Sequence, residues 1–203
     1  MISLDIDLPK ELLPFAWING VWKGFGVQYD KDNNPTDVTV EMYFECESNS
    51  YQQAPFLKQT IHVYSVDVEK SKPVAKEMSG LVGYENLVSD KLVQSRTAYW
   101  NIGKAIKPTQ PKTKAHEITA VSTSSTGHAG SWYGMLDGPR IQMVTDAFLA
   151  CEQSEQYGGE RQLYGLVESD LMFLVEVPDS EKQVRPILSV RMSKVETIVP
   201  END

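Results

Sequence analysis

The chain has 203 residues, of which 41% are hydrophobic and 23% charged, the composition of one ordinary globular domain spanning residues 1–203. A formal net charge of −9 argues against nucleic acid, whose phosphates need clustered Lys and Arg, and against anionic membrane surfaces. No apolar run approaches bilayer length, the most apolar being the strand-sized 171–175.

Residues 1–7 carry neither the basic start nor the apolar run of a signal peptide, which points to the cytoplasm. Two cysteines without CxxC spacing, Cys46 and Cys151, suit that compartment as buried free thiols. Residues 9–17 have room for a helical turn or two before the first strand, 21–29, and residues 30–35 form a loop rich in Asp and Asn. The clearest period-two run follows. Val38, Val40, Met42, Phe44 and Cys46 alternate with Thr39, Glu41, Tyr43 and Glu45, so one face is buried and Cys46 belongs to the core. Further strands are expected at 56–66, 93–102, 117–123, 131–136, 140–147, 161–167, 171–177 and 187–197.

Two segments read as insertions between strands. Residues 69–91 are charged and broken by Pro73 and Gly80, with a short helix expected between 73 and 93. Residues 103–114 carry Lys104, Lys107, Lys112 and Lys114 and read as a solvated loop. Leu136-Asp137-Gly138-Pro139 and Glu168-Ser169-Asp170 have the chemistry of tight hairpin turns, and Tyr157-Gly158-Gly159 marks another break. The pattern predicts an all-β fold. It is a ten-stranded antiparallel up-and-down barrel, which leaves no strand edge open, preceded by a short N-terminal helical turn.

Reactive motifs are sparse. There is no P-loop, no Rossmann glycine pattern, no HExxH, and no GxSxG around the serine-rich 122–126. His62, His116 and His128 occupy strand or strand-edge positions with no second ligand nearby in sequence, and read as partly exposed strand histidines. The residues compose no catalytic constellation and no metal site.

The informative signature is Gly20-Val21-Trp22-Lys23-Gly24-Phe25-Gly26, a GxWxGxG pattern opening the first strand. Glycines there permit sharp bending and close backbone approach, while Trp22 can close the barrel end. Leu13-Pro14-Phe15-Ala16-Trp17-Ile18-Asn19 precedes it. Later blocks are Gly138-Pro139-Arg140-Ile141, Thr145-Asp146-Ala147, Leu163-Tyr164-Gly165-Leu166-Val167 and Pro186-Ile187-Leu188-Ser189-Val190-Arg191. A weaker match joins Pro55-Phe56-Leu57 to Thr97-Ala98-Tyr99-Trp100. Together these blocks resemble the bacterial nitrobindin family, barrels of the calycin type also described as fatty-acid-binding-protein-like. The resemblance covers roughly the first thirty residues and most of the chain from Thr126 onward. It implies a ten-stranded barrel holding ferric haem b on one axial histidine near the C-terminus, where peroxynitrite is isomerised to nitrate.

The sequence departs from that pattern at the ligand. Where the family reads roughly Pro-His-Leu-Ser-Ala, this chain has Pro186-Ile187-Leu188-Ser189-Val190, so Ile187 stands at the axial histidine's place. The family's His-Pro-Thr-Gly appears as Ser124-Ser125-Thr126-Gly127, so Ser124 replaces a second histidine. Isoleucine has no lone pair for iron, so no cofactor is expected. His128, or less readily Met192, is the substitute ligand to weigh, against the alternation that turns neighbouring side chains to opposite faces.

Three functions compete. The favoured one is a haem-free barrel binding a small apolar or amphipathic ligand, leaning away from an enzyme. The alternatives are a ferric haem-b peroxynitrite isomerase with a non-standard axial ligand, and a structural or interaction barrel. Arg96, where the family usually carries an acidic residue, and Arg191, on the alternation face of Ile187 and Ser189, are candidate contacts for a ligand carboxylate. Exposure, or pairing with a structural Glu, is the other reading of Arg96.

Overall fold

The computed structural model describes residues 8–47, 54–178 and 184–196. A 3₁₀ turn at Lys10–Phe15 leads into ten strands. They are β1 (Gly20–Tyr29), β2 (Pro35–Glu47), β3 (Phe56–Val66), β4 (Ser89–Ile106), β5 (Ala115–Ser124), β6 (His128–Asp137), β7 (Arg140–Ala150), β8 (Arg161–Val167), β9 (Asp170–Pro178) and β10 (Val184–Glu196). Each pairs antiparallel with its neighbours in sequence, and β1 closes the barrel against β10. Helix α1 (Gly80–Asn86) interrupts the β3–β4 connection.

Alternation decides which side chains fill the barrel. On β2 the apolar even positions Val38, Val40, Met42 and Phe44 are fully or almost fully buried, and Cys46 ends the row. The 3₁₀ turn plugs one end with Leu12 and Phe15, and Ile18 follows. Phe15 meets Trp100 edge-on at 6.1 Å, and Trp100 in turn meets Phe44 and Tyr164. Edge-to-face pairs of this kind add about 0.5–1.5 kcal/mol each beyond their buried area. Trp22 is 0% exposed, and its Nε1 donates to the Ile18 carbonyl at 2.7 Å, tying the start of β1 to the plug.

The signature glycines act by absence. A Cβ on Gly24 or Gly26 would collide with the Arg191 or Ser189 carbonyl oxygen, so glycine lets β1 close on β10. The same logic seats α1 on the outside of the barrel, where a Cβ on Gly83 would enter the Phe25 ring. Asp170 pins the start of that helix, accepting from Ser193 Oγ at 2.6 Å and from the Gly80 N–H at 3.2 Å.

Some boundaries and burials differ from expectation. Strand β4 runs on to Ile106, so Lys104 lies in a strand and pairs with Glu117 at 3.3 Å rather than in a loop. Cys151 is exposed, not buried, because β7 ends at Ala150 and the cysteine opens the following loop. No helix among the described residues is long and apolar enough to cross a membrane.

Candidate functional site: a closed barrel interior

Ile187 owes its position to a bulge. Pro186 pairs with Glu176 and Leu188 with Val175, leaving Ile187 as an extra residue without a partner on β9. Past the bulge Leu188, Val190 and Met192 face the core, while Ser189 and Arg191 face outward. Ile187 nonetheless turns inward, lining a cavity of about 30 Å³ with Gln28, Ile61, Gln94, Arg96 and Phe173. The expected common face of Ile187 and Arg191 is therefore wrong, since an inserted residue resets the alternation. Outside, Arg191 Nε donates to Asp170 Oδ2 at 2.5 Å, and its Nη2 lies 3.5 Å from Glu168.

Arg96 does point inward, from β4, but it is not free. Its Nη2 donates to Glu160 Oε1 at 2.8 Å and its Nη1 stands 2.7 Å from Oε2, the two side chains being 7% and 0% exposed. The guanidinium also lies 5.8 Å from the Trp132 ring centroid, within cation–π range. Tyr157 donates its hydroxyl to Glu160 Oε1 at 2.8 Å. Deeper in, Tyr164 donates to Gln162 Oε1 at 2.7 Å and accepts from Gln59 Nε2 at 3.0 Å. Burial pushes the Glu160 carboxyl up, but the Arg96 charge and hydrogen bond, with those of Tyr157 and Gln162, outweigh it and hold it below the ordinary glutamate range. Burial and the neighbouring Glu160 carboxylate raise the Tyr157 phenol, which stays a neutral donor. A ligand carboxylate would have to displace Glu160 to reach Arg96, and pairing with a structural Glu, the other reading of this arginine, is the arrangement seen.

The altered Ser124-Ser125-Thr126-Gly127 block makes the β5–β6 turn, with Gly127 at φ 81°, a left-handed conformation that suits glycine. Ser124 Oγ lies 2.7 Å from Thr126 Oγ1, which lies 3.0 Å from His128 Nδ1. His128 Nε2 sits 2.9 Å from the Glu155 carbonyl, which can only accept, so the network assigns the ring proton to Nε2 and leaves Nδ1 to Thr126. Its ring stacks on Phe148 and lies 4.8 Å from Tyr157. His128 is thus buried, at 7% exposure, rather than partly exposed, because the 151–160 loop folds over it. Both ring nitrogens are occupied.

Between this loop and the β1–β2 turn the barrel mouth forms a depression of about 630 Å³, with Gln28 shared between it and the small cavity below. Its rim is polar, including Asp30, Lys31, Gln153 and Glu155. Among the described residues, neither the mouth nor the cavity is lined by histidine, cysteine or methionine. Glu160, Tyr157, Gln162 and Gln59 were missed by sequence reading. The only hint was Gly158-Gly159 directly before Glu160, and a charged residue after a break reads as solvated.

A family model described as "THAP4-like, heme-binding beta-barrel domain" matches residues 11–194. The chain belongs to this family. A ferric nitrobindin-like protein of Streptomyces griseus is 30% identical over 97% of this chain and 88% of its own length. A peroxynitrite isomerase of Clavibacter michiganensis is 28% identical over 97% of this chain and all of its own. Among solved structures, Rv2717c from M. tuberculosis superposes with a TM-score of 0.61 at 15% identity, covering 93% of this chain and 99% of that one, a likeness of fold.

The THAP4-like family is haem-binding, so the interior can be tested for the group. It does not fit. At Ile187 there is no lone pair for iron, the space beside it is about that of one water, and His128 has both nitrogens engaged. Small-molecule sites take roughly 300–1,000 Å³. The middle of the barrel offers none of that, being filled by Arg96, Trp132, Gln59 and Gln162.

Proposed function

We propose that this chain is a haem-free nitrobindin-like barrel whose interior is closed by its own side chains, and that its activity is small-ligand binding rather than peroxynitrite isomerisation. The observation that carries the reading is an inward-facing apolar bulge residue, Ile187, against a 30 Å³ cavity bordered by the charge-paired Arg96; the resemblance in sequence puts the axial ligand at that position. In the same reading residues 1–203 form one cytoplasmic domain, with Gly20, Trp22, Gly24 and Gly26 as its structural signature. A small apolar or amphipathic ligand then needs a site other than the filled interior.

The test is optical. The protein should purify colourless, and added ferric haem should give no sharp Soret band saturating at one equivalent. Peroxynitrite should decay no faster with protein and haem than with haem alone. The competing reading, a ferric haem-b isomerase, draws on relatives named peroxynitrite isomerase. A red protein as isolated, with one haem per chain, would establish it instead.

A further inference from the structure

A second cavity, among the described residues, lies outside the barrel. Between β3 and α1 the chain leaves the sheet and returns along the outer faces of β1 and β10, enclosing a cleft of about 680 Å³. That is the size of a small-molecule site. Its floor is Phe25 and Val27 of β1 with Met172 of β9, and its wall includes Val74 and Leu87.

The wall is built, not draped. The Asp67 N–H donates to the Val88 carbonyl at 2.8 Å, and the Lys72 N–H to the Asn86 carbonyl at 2.7 Å. Ser71 Oγ bridges the two ends, donating to the Asp67 carbonyl at 2.7 Å and accepting from the Val88 N–H at 2.8 Å. The segment is therefore tied back to the start of β4, and the cleft exists before any ligand arrives, which lowers the entropy cost of filling it.

Its charge runs against that of the chain. The whole sequence carries 28 acidic and 19 basic residues, yet among the described residues the cleft is lined by Lys72, Lys76 and Arg191 with Asp37 as the sole carboxylate. Arg191 is held by Asp170, whereas Lys72 and Lys76 form no ion pair with any described residue. An apolar floor under two uncommitted ammonium groups suits a molecule that is apolar along its body and negative at one end.

We propose that this cleft binds a small amphipathic anion, an apolar body bearing one carboxylate or sulfonate. The inference gives a site and a ligand class to the small-ligand reading above, and it is independent of whether haem binds. The probe is anilinonaphthalene sulfonate, titrated by fluorescence into the full chain, with decanoate as competitor. One saturable site per chain is expected, emptied by decanoate and not by 1-decanol. The uncharged analogue N-phenyl-1-naphthylamine should bind on the order of tenfold more weakly. Ala75→Trp, which fills the cleft from an exposed wall position, should abolish the site with the circular dichroism spectrum unchanged. The double variant Lys72→Glu/Lys76→Glu should weaken it on the order of tenfold. No saturable binding, equal binding of the uncharged analogue, or a site that survives both variants would overturn the proposal. A failed haem titration bears on the barrel interior alone, and a failed sulfonate titration on the cleft alone.

Discussion

Arg96 on β4 and Glu160 just ahead of β8 meet inside the barrel through two oxygens, at 2.7 and 2.8 Å, although 64 residues separate them in sequence. The pair is neutral as a whole, so it can sit in a low-dielectric interior where either charge alone could not. Tyr157 supplies a further donor to the carboxylate, linking the pair to the loop that covers the mouth.

Breaking that pair on one side should be costly. Glu160→Gln leaves the Arg96 charge buried without a counter-ion, and a loss of about 3–5 kcal/mol is expected in urea denaturation. Replacing both, as Arg96→Met/Glu160→Leu, should recover most of it, because two apolar chains of similar volume need no partner. A Glu160→Gln variant as stable as the parent would show that water reaches the pair.

Acid should act through the same carboxylate. Its folded-state pKa lies below the ordinary glutamate value of 4.5, so the unfolded chain binds the proton more readily. The stabilisation is full above that ordinary value and is lost as pH falls through the depressed one. Stability measured from pH 6 downward to about pH 3 should therefore fall less steeply in Glu160→Gln than in the parent. Asp137, whose carboxyl is held low by hydrogen bonds from Thr109 and Thr113, leaves part of the acid slope in place.

Trp22 is the keystone of the plugged end. Truncation of a fully buried tryptophan costs about 3–5 kcal/mol, so Trp22→Ala should shift the denaturation midpoint strongly. Trp22→Phe keeps most of the ring volume and loses the bond to the Ile18 carbonyl, a cost nearer 1 kcal/mol plus any packing gap. Equal midpoints for Trp22→Ala and parent would mean that the end of the barrel is closed by other side chains.

Restoring the family ligand should not restore haem. Ile187→His puts an imidazole beside Arg96 in a cavity of about 30 Å³, which leaves no room for a porphyrin. The expectation is a colourless variant with no stoichiometric Soret band. Arg96, held by Glu160, borders that cavity.

The two thiols should separate by reactivity. Cys46 is buried and its thiol is pushed up to about 12 by burial, while Cys151 is exposed. A thiol reagent at pH 8 should titrate one sulfhydryl per native chain and the second after denaturation. Two equivalents reacting in the native state would place Cys46 off the core face.

The barrel was legible in local sequence. Strand alternation and turn chemistry are local signals, and each strand from β1 to β10 pairs with its neighbour along the chain, so local order carried the topology. The signature glycines and Trp22 were legible for the same reason, since each has one main physical use at a strand start. What occupies the interior was not. Arg96 finds Glu160 across the barrel, the bulge that turns Ile187 inward shows only in the pairing of β9 with β10, and His128 is buried by a loop that follows it by more than twenty residues. Such contacts depend on the barrel's curvature and on long-range register, which place side chains by their distance in space and leave no period in the sequence.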